Sequence, residues 1–241
     1  DEVGLGKTIE AGIILSEMWA ENKRNILIVV PASLRNQWNI ELMEKFYLPS
    51  FILDSESFEE GKVQMSNGEK SIYICSYNFA VTNAEYFKNI NWDLIVLDEA
   101  HKLRNVYKKS NVMANALRAA FRNYKKVLLT ATPLQNNLKE LYGLISIIDP
   151  EFFSSLDTFA DQYNSVTTRD KAKFGELKGR LAHIIHRTLR NQVEEYVNFT
   201  KRTAFVQEYY PTDAEINLYE HVSEYLMREG TYGVPERQRP L

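Results

Sequence analysis

Four short runs of apolar and β-branched residues, NILIVV (25–30), SIYIC (71–75), DLIVLDEA (93–100) and KKVLLTAT (125–132), recur between longer segments of helical period. Runs this short and this continuously apolar read as strands buried on both faces, the pattern of a parallel sheet. The segments between them read as helices: Ile9 to Ala20, Leu34 to Phe46, and Asn111 to Phe121, where Val112, Ala116, Leu117, Ala120 and Phe121 share one face. Strand and helix in alternation dictate right-handed crossovers and an α/β parallel sheet covered by helices on both faces. After Pro133 the strand signal fades. Leu138, Leu141, Tyr142, Ile145 and Ile148 mark a helix that stops at Asp149 and Pro150, and helices dominate from there to about Asn191.

Toward the C-terminus, RTAFVQEYY (202–210) reads as a strand, and PTDAEINLYEHVSEYLM as a helix entered through Thr212 or Asp213. The polar stretch DSESFEEGKVQMSNGEK (54–70) reads as a surface loop. With 241 residues and 44% hydrophobic content, there is apolar material for one large domain, or a domain with an appendage. The formal net charge of −3 supplies no global basic field, so any nucleic-acid contact must come from local patches. Cys75, the only cysteine, lies inside a strand run, which excludes an internal disulfide framework and fits a reducing, cytoplasmic compartment. No apolar run approaches the ~20 residues of a membrane span, so no membrane partner is expected.

Three stretches carry chemistry. In DEVGLGKT the tail Gly6-Lys7-Thr8 has the form of a phosphate-binding loop, with Gly4 and Leu5 inside it and Asp1 where that pattern places its first glycine. Glycines let successive backbone N–H groups turn toward phosphate oxygens, Lys7 supplies a point charge at the β and γ phosphates, and the Thr8 hydroxyl is a Mg²⁺ ligand. A helix starting near Thr8 adds its positive end. In WDLIVLDEAH, Asp98 and Glu99 stand at the carboxyl end of an apolar strand, where α/β sheets bind ligands. Asp98 there suits Mg²⁺, and Glu99 suits polarising the water that attacks a γ phosphate. His101 follows them. In LLTATPLQN (128–136), Thr130, Ala131 and Thr132 form a turn beside the same sheet edge, a place for a nucleotide sensor as well as for an ordinary strand-to-turn transition.

DEVGLGKTIEAG, VVPASLRNQW, WDLIVLDEAHKLRN and LLTATPLQNNLKELYGL resemble, in order and spacing, the motifs of superfamily 2 helicase-type ATPases. More narrowly the chain resembles the SWI/SNF family of double-stranded DNA translocases, in its RapA-like bacterial branch. The resemblance implies a RecA-like P-loop NTPase lobe over residues 1–150. A helical connector at 151–200, where HRTLRNQV is similar to the family's, and a strand and helix at 201–241 then lead toward a second RecA-like lobe. It implies ATP and Mg²⁺ as ligands: Lys7 and Thr8 for ATP·Mg²⁺, Asp98 and Glu99 for hydrolysis, and Thr130 to Thr132 with His101 for coupling nucleotide state to DNA grip. Pro31, Ser33, Gln37 and Trp38 match the motif that touches the DNA backbone, and Ser76 with Tyr77 the next such motif. Ser33 suits a helix cap equally, and Trp38 a place in the core. Arg104, Lys108, Lys109, Arg180, Arg187 and Arg190 are further candidates for phosphate contact.

A sheet of this type needs a strand running into the phosphate loop, and the sequence shows none before Asp1, so the chain is expected to be a fragment. The second lobe, with the arginines the family uses opposite the γ phosphate, is expected elsewhere in the full-length chain. Such an arginine contributes roughly 10³ to 10⁵ in rate, so this segment alone is expected to hydrolyse ATP slowly or not at all. The expected function is an ATP-driven motor on double-stranded DNA that remodels or displaces bound protein, with RNA polymerase or a defence-complex subunit as protein partner. The alternatives are a non-motor nucleotide-binding module in a restriction or defence complex, and a strand-separating helicase.

Overall fold

Five strands, β1 (Ile26–Val30), β2 (Ser50–Leu53), β3 (Ile72–Ser76), β4 (Leu94–Leu97) and β5 (Lys126–Leu128), form one sheet in the order β2-β3-β1-β4-β5 with every neighbouring pair parallel. The computed structural model describes residues 1–2, 4–135, 137–163, 171–193, 196 and 204–227. β1 is central and buried along its whole length, which is why its sequence is apolar without alternation.

The side chains of the sheet divide by twos between two cores. Leu27, Val29, Tyr73, Cys75, Ile95 and Leu97 point to one face, and Ile26, Ile28, Val30, Ile72, Ile74 and Val96 to the other. The second face is covered by α1 (Lys7–Ala20) and α2 (Arg35–Phe46), through Ala11, Leu15, Trp38 and Leu42. The first is covered by α4 (Tyr77–Thr82), α5 (Ala84–Lys88) and α6 (Val112–Ala120), through Ala80, Phe87, Ala114 and Leu117. Full burial of one such Leu, Ile or Phe stabilises the fold by about 1.5–3 kcal/mol. The α/β reading of the sequence holds, and α1, α2 and α6 are helices the periodicity marked, whereas α4 and α5 were not expected.

Other elements also differ from expectation. The polar stretch 54–70 is not a loop throughout: Phe58–Ser66 is a helix, α3. Asp54 Oδ1 accepts the N–H groups of Glu56 and Ser57, a turn that launches the helix. The ring of Phe58 then packs edge-on against Phe79, Tyr86 and Phe87, and that contact holds the polar helix to the core. Strand β2 was not expected either, a four-residue edge strand that pairs with β3.

Beyond the sheet, α7 (Leu138–Ile148) is buried on nearly every side, Glu140 and Ser146 included. It packs against β5, the turn after β4, and α8 (Leu156–Tyr163). Leu141 and Ile145 of α7 join Phe153, Phe159, Tyr163 and Leu177 in a third core, to which α9 (Lys171–Leu181) contributes Leu177.

The chain divides into two compact units, Asp1–Val197 and Asn198–Leu241. In the second, α10 (Asp213–Met227) begins where Glu215 Oε2 accepts the Thr212 N–H at 2.8 Å, one half of a capping box. The strand expected at 202–210 does not form over its described residues 204–210, which carry no regular structure and are exposed. With no neighbour to complete a ladder among the described residues, a lone extended segment has no sheet to join. Residues 202 and 203 lie outside the described residues.

Candidate functional site

The turn ahead of α1 is built by its glycines. Gly4 and Gly6 have φ of +82° and +83°, a left-handed conformation that a side chain would strain. Gly6 is also the N-cap of α1 and offers no side chain to the first N–H groups of the helix, which leaves these donors for a ligand. Lys7 Nζ donates to the main-chain carbonyls of Asp1 and Glu2, each at 3.3 Å, so the ammonium is held over the loop. Leu5 and Thr8 are half-buried beside it, and Thr8 stands in the first turn of α1. The loop is tied to residues further along the chain: Thr188 N–H donates to Asp1 Oδ1 at 2.6 Å, and Glu2 N–H to the Thr188 carbonyl at 3.2 Å.

Asp98 and Glu99 follow β4 at the carboxyl end of the sheet. Asp98 is buried, yet both of its carboxylate oxygens accept a hydrogen bond: Oδ1 from the Glu99 N–H at 2.8 Å and Oδ2 from Trp38 Nε1–H at 2.9 Å. Burial pushes the Asp98 carboxyl above the usual carboxylate range. The Trp38 and Glu99 donors and the nearby Lys7 charge pull the other way without cancelling it. That Lys7 acts on this carboxyl places the phosphate loop and the acidic strand end within electrostatic reach of each other.

Glu99 itself has φ +50°, a left-handed conformation that costs a non-glycine residue about 1–2 kcal/mol. Glu99 Oε2 lies 3.0 Å from His101 Nδ1, off the line of a hydrogen bond, and that ring nitrogen has no hydrogen-bond partner among the described residues.

Thr130, Ala131 and Thr132 leave β5 in a turn, with the Thr132 N–H donating to Thr130 Oγ1 at 3.1 Å. The Asp1 main-chain nitrogen lies 3.5 Å from the Thr130 carbonyl oxygen, so this turn borders the phosphate loop. A second link was not visible in the sequence. Arg104, just after the acidic pair, donates from Nη2 to Gln135 Oε1 at 2.5 Å, and its Nε is 3.8 Å from the buried Glu140 carboxylate. Glu140 Oε2 in turn accepts the Gln135 N–H at 2.9 Å. An acidic residue inside the apolar run of α7 was the available signal.

A cavity of about 340 Å³ lies beside β5, between Ile14 of α1 and Leu144, Ile145 and Ile148 of α7, with Lys7 and Asp1 on its border. Lys126, His186 and Arg187 also line it. β5 pairs with β4 alone among the described residues.

The residues assigned to nucleic acid divide. Ser33 and Gln37 are exposed and Pro31 partly so, and Ser33 caps no helix, because α2 starts after a short 3₁₀ turn and has no side-chain cap. Ser76 is half-buried and caps α4, accepting the Phe79 N–H at 3.2 Å. Trp38 and Tyr77 are 2% and 4% exposed, which leaves neither surface for a phosphate backbone. Arg180 is committed as well, donating to the Phe152 carbonyl and the Tyr163 hydroxyl. Lys108, Lys109 and Arg187 are exposed.

A family profile described as the SNF2-related domain matches residues 1–234. The chain is 34% identical over 194 residues to the RNA polymerase-associated protein RapA of Pectobacterium carotovorum subsp. carotovorum, covering 73% of this chain and 20% of that protein. It is 38% identical over 168 residues to the uncharacterized ATP-dependent helicase YqhH of Bacillus subtilis, covering 68% of this chain and 28% of that one. The chain thus spans a fifth to about a quarter of the length of these relatives. Its fold is that of the Sulfolobus solfataricus SWI2/SNF2 ATPase core solved in complex with dsDNA, at TM-score 0.63 and 24% identity over 78% of this chain and 39% of that one. By motif order, sheet topology and the extent of the profile match, the chain belongs to the SNF2-related domain family of SWI/SNF helicase-type ATPases.

Proposed function

We propose that this chain is the ATP-binding lobe of a motor that moves on double-stranded DNA and remodels or displaces protein bound there. The observation that carries the reading is the loop ahead of α1, left-handed at both Gly4 and Gly6, together with Asp98 and Glu99 at the carboxyl end of β4 in a parallel sheet. Left-handed glycines, an uncapped helix N-terminus, a lysine, a hydroxyl and two carboxylates are the donor set that a magnesium triphosphate requires.

In this reading Lys7 and the first N–H groups of α1 bind the β and γ phosphates, and the Thr8 hydroxyl and Asp98 hold Mg²⁺. When bound, the metal offsets the charge of the phosphate oxygens. Glu99 orients the attacking water and accepts its proton, with His101 beside it. Thr130 to Thr132 sense the phosphate end from across the loop. Pro31, Ser33 and Gln37 form the part of the nucleic-acid set that reaches solvent, with Lys108 and Lys109 as further phosphate contacts. The RapA relatives and the dsDNA-bound archaeal core support duplex DNA and RNA polymerase as partners.

The test is an ATP-driven displacement assay on the intact gene product. A duplex translocase strips the third strand from a triplex and leaves the duplex paired. Separation of the duplex would make it a helicase. Hydrolysis without either movement would leave a nucleotide-binding module.

A further inference from the structure

Two residues matched to DNA-contact motifs are turned inward, and both end on Asp98. Trp38 of α2 belongs to the core on one face of the sheet, and Tyr77 at the start of α4 belongs to the core on the other. From the first side Trp38 Nε1–H donates to Asp98 Oδ2 at 2.9 Å. From the second, the Tyr77 hydroxyl donates to the Asp98 main-chain carbonyl at 2.6 Å. Both bonds are buried, and they join residues 60 and 21 positions apart in the chain.

A carboxylate at the end of a strand keeps rotation about its last side-chain bond unless both oxygens are held. Here the Glu99 N–H holds Oδ1 and the Trp38 indole holds Oδ2, so the plane of the group is set by one donor from the chain and one from a different helix. Tyr77 fixes the other degree of freedom, the height of the Asp98 backbone above the end of β4. The two bonds to the carboxylate are charge-assisted, about twice as strong as neutral ones, and, out of water, hold their geometry.

We propose that Trp38 and Tyr77 are positioning residues for Asp98, clamping it from the two faces of the sheet in the orientation that receives Mg²⁺ with the nucleotide. The inference rests on the reading of Asp98 as part of the magnesium nucleotide site. Neither residue touches nucleotide or DNA in this account. Their contribution is to keep the Asp98 carboxylate from turning back into the core or rotating away from the loop that carries Thr8. Tyr77→Phe keeps the ring and Trp38→Phe puts a smaller ring in its place, and each leaves the Asp98 group present but loosely aimed, so the defect is one of metal affinity.

The test is a Mg²⁺ titration of the binding of a fluorescent ATP analogue to the intact gene product, in wild type, Trp38→Phe and Tyr77→Phe. The Mg²⁺ concentration for half-maximal binding rises about tenfold in Trp38→Phe and rises in Tyr77→Phe, while nucleotide affinity at saturating Mg²⁺ returns to the wild-type value. Leu42→Ala, a core truncation on the same helix, lowers the thermal midpoint without moving the Mg²⁺ midpoint. An unchanged Mg²⁺ midpoint in both phenylalanine variants overturns the inference, and so does an equal shift in Leu42→Ala. If Trp38→Phe does not fold, Tyr77→Phe, which removes a single oxygen, decides the matter alone. A wild-type protein that binds no nucleotide overturns the reading of the site itself, and the inference with it.

Discussion

Gly143 of α7 lies against the main-chain carbonyl of Arg104, so close that a Cβ on Gly143 would stand 2.0 Å from that oxygen. Helix α7 therefore meets the turn after the acidic pair backbone to backbone, with Tyr107 at the side of the contact. Gly143→Ala gains helix propensity of about 1 kcal/mol. The clash is with main chain, which cannot rotate away as a side chain would, and overpacking of this kind costs about 1–3 kcal/mol or more. The clash outweighs the propensity. Thermal denaturation is expected to show a midpoint lower by several degrees, and an unchanged or raised midpoint would mean that α7 shifts freely.

Arg104 and Glu140 join the turn after β4 to the turn after β5 through a carboxylate that is 2% exposed. Truncating either partner removes this ion pair from a largely buried place, and the two losses share one cause. A double-mutant cycle with Arg104→Ala and Glu140→Ala is expected to give a coupling of about 1–3 kcal/mol. Additive losses in urea denaturation would show that the two residues act separately.

Tyr73 illustrates the opposite case. Its hydroxyl is buried and has no hydrogen-bond partner among the described residues. Tyr73→Phe is expected to stabilise the fold by about 1 kcal/mol, since it removes a desolvated group that nothing satisfies. Burial pushes the phenol up from 10.0 to about 12. A group whose pKa is raised on folding binds more protons in the native state, so its contribution to stability falls as pH rises from 10 toward 12. The phenylalanine variant is expected to lack that part of the alkaline decline in chemical denaturation.

Much of this was legible in the sequence because burial on both faces leaves a plain trace. β1, β3 and β4 are continuous apolar runs. β2 escaped because three of its four residues are only partly buried and its one ladder is with β3. α3 escaped because its polar letters conceal one anchor, Phe58, whose ring partners lie far along the chain. The phosphate loop and the acidic pair were readable as local motifs, since glycine conformation and strand-end placement are local properties. The destinations of Trp38 and Tyr77 were not, because a hydrogen bond across 60 residues depends on which strands become neighbours. Sheet order is a tertiary fact, and β1 between β3 and β4 brings all three residues together.

Lys7 and Glu99 are expected to fail differently. Lys7→Ala removes the charge held over the phosphate loop and is expected to weaken nucleotide binding itself. Glu99→Gln keeps shape and binding while removing the base, and is expected to lower turnover by about 10²–10⁴-fold. Equilibrium binding beside single-turnover hydrolysis separates the two, and equal loss of binding in both variants would contradict these roles.

The central claim is that the phosphate loop and the acidic strand end form one hydrolytic site driven by duplex DNA. Its most direct measurement is the ATPase rate of the intact gene product with and without duplex DNA, beside Glu99→Gln. The account predicts turnover that rises with duplex and disappears in the variant. A rate indifferent to duplex, or one that survives Glu99→Gln, would contradict it.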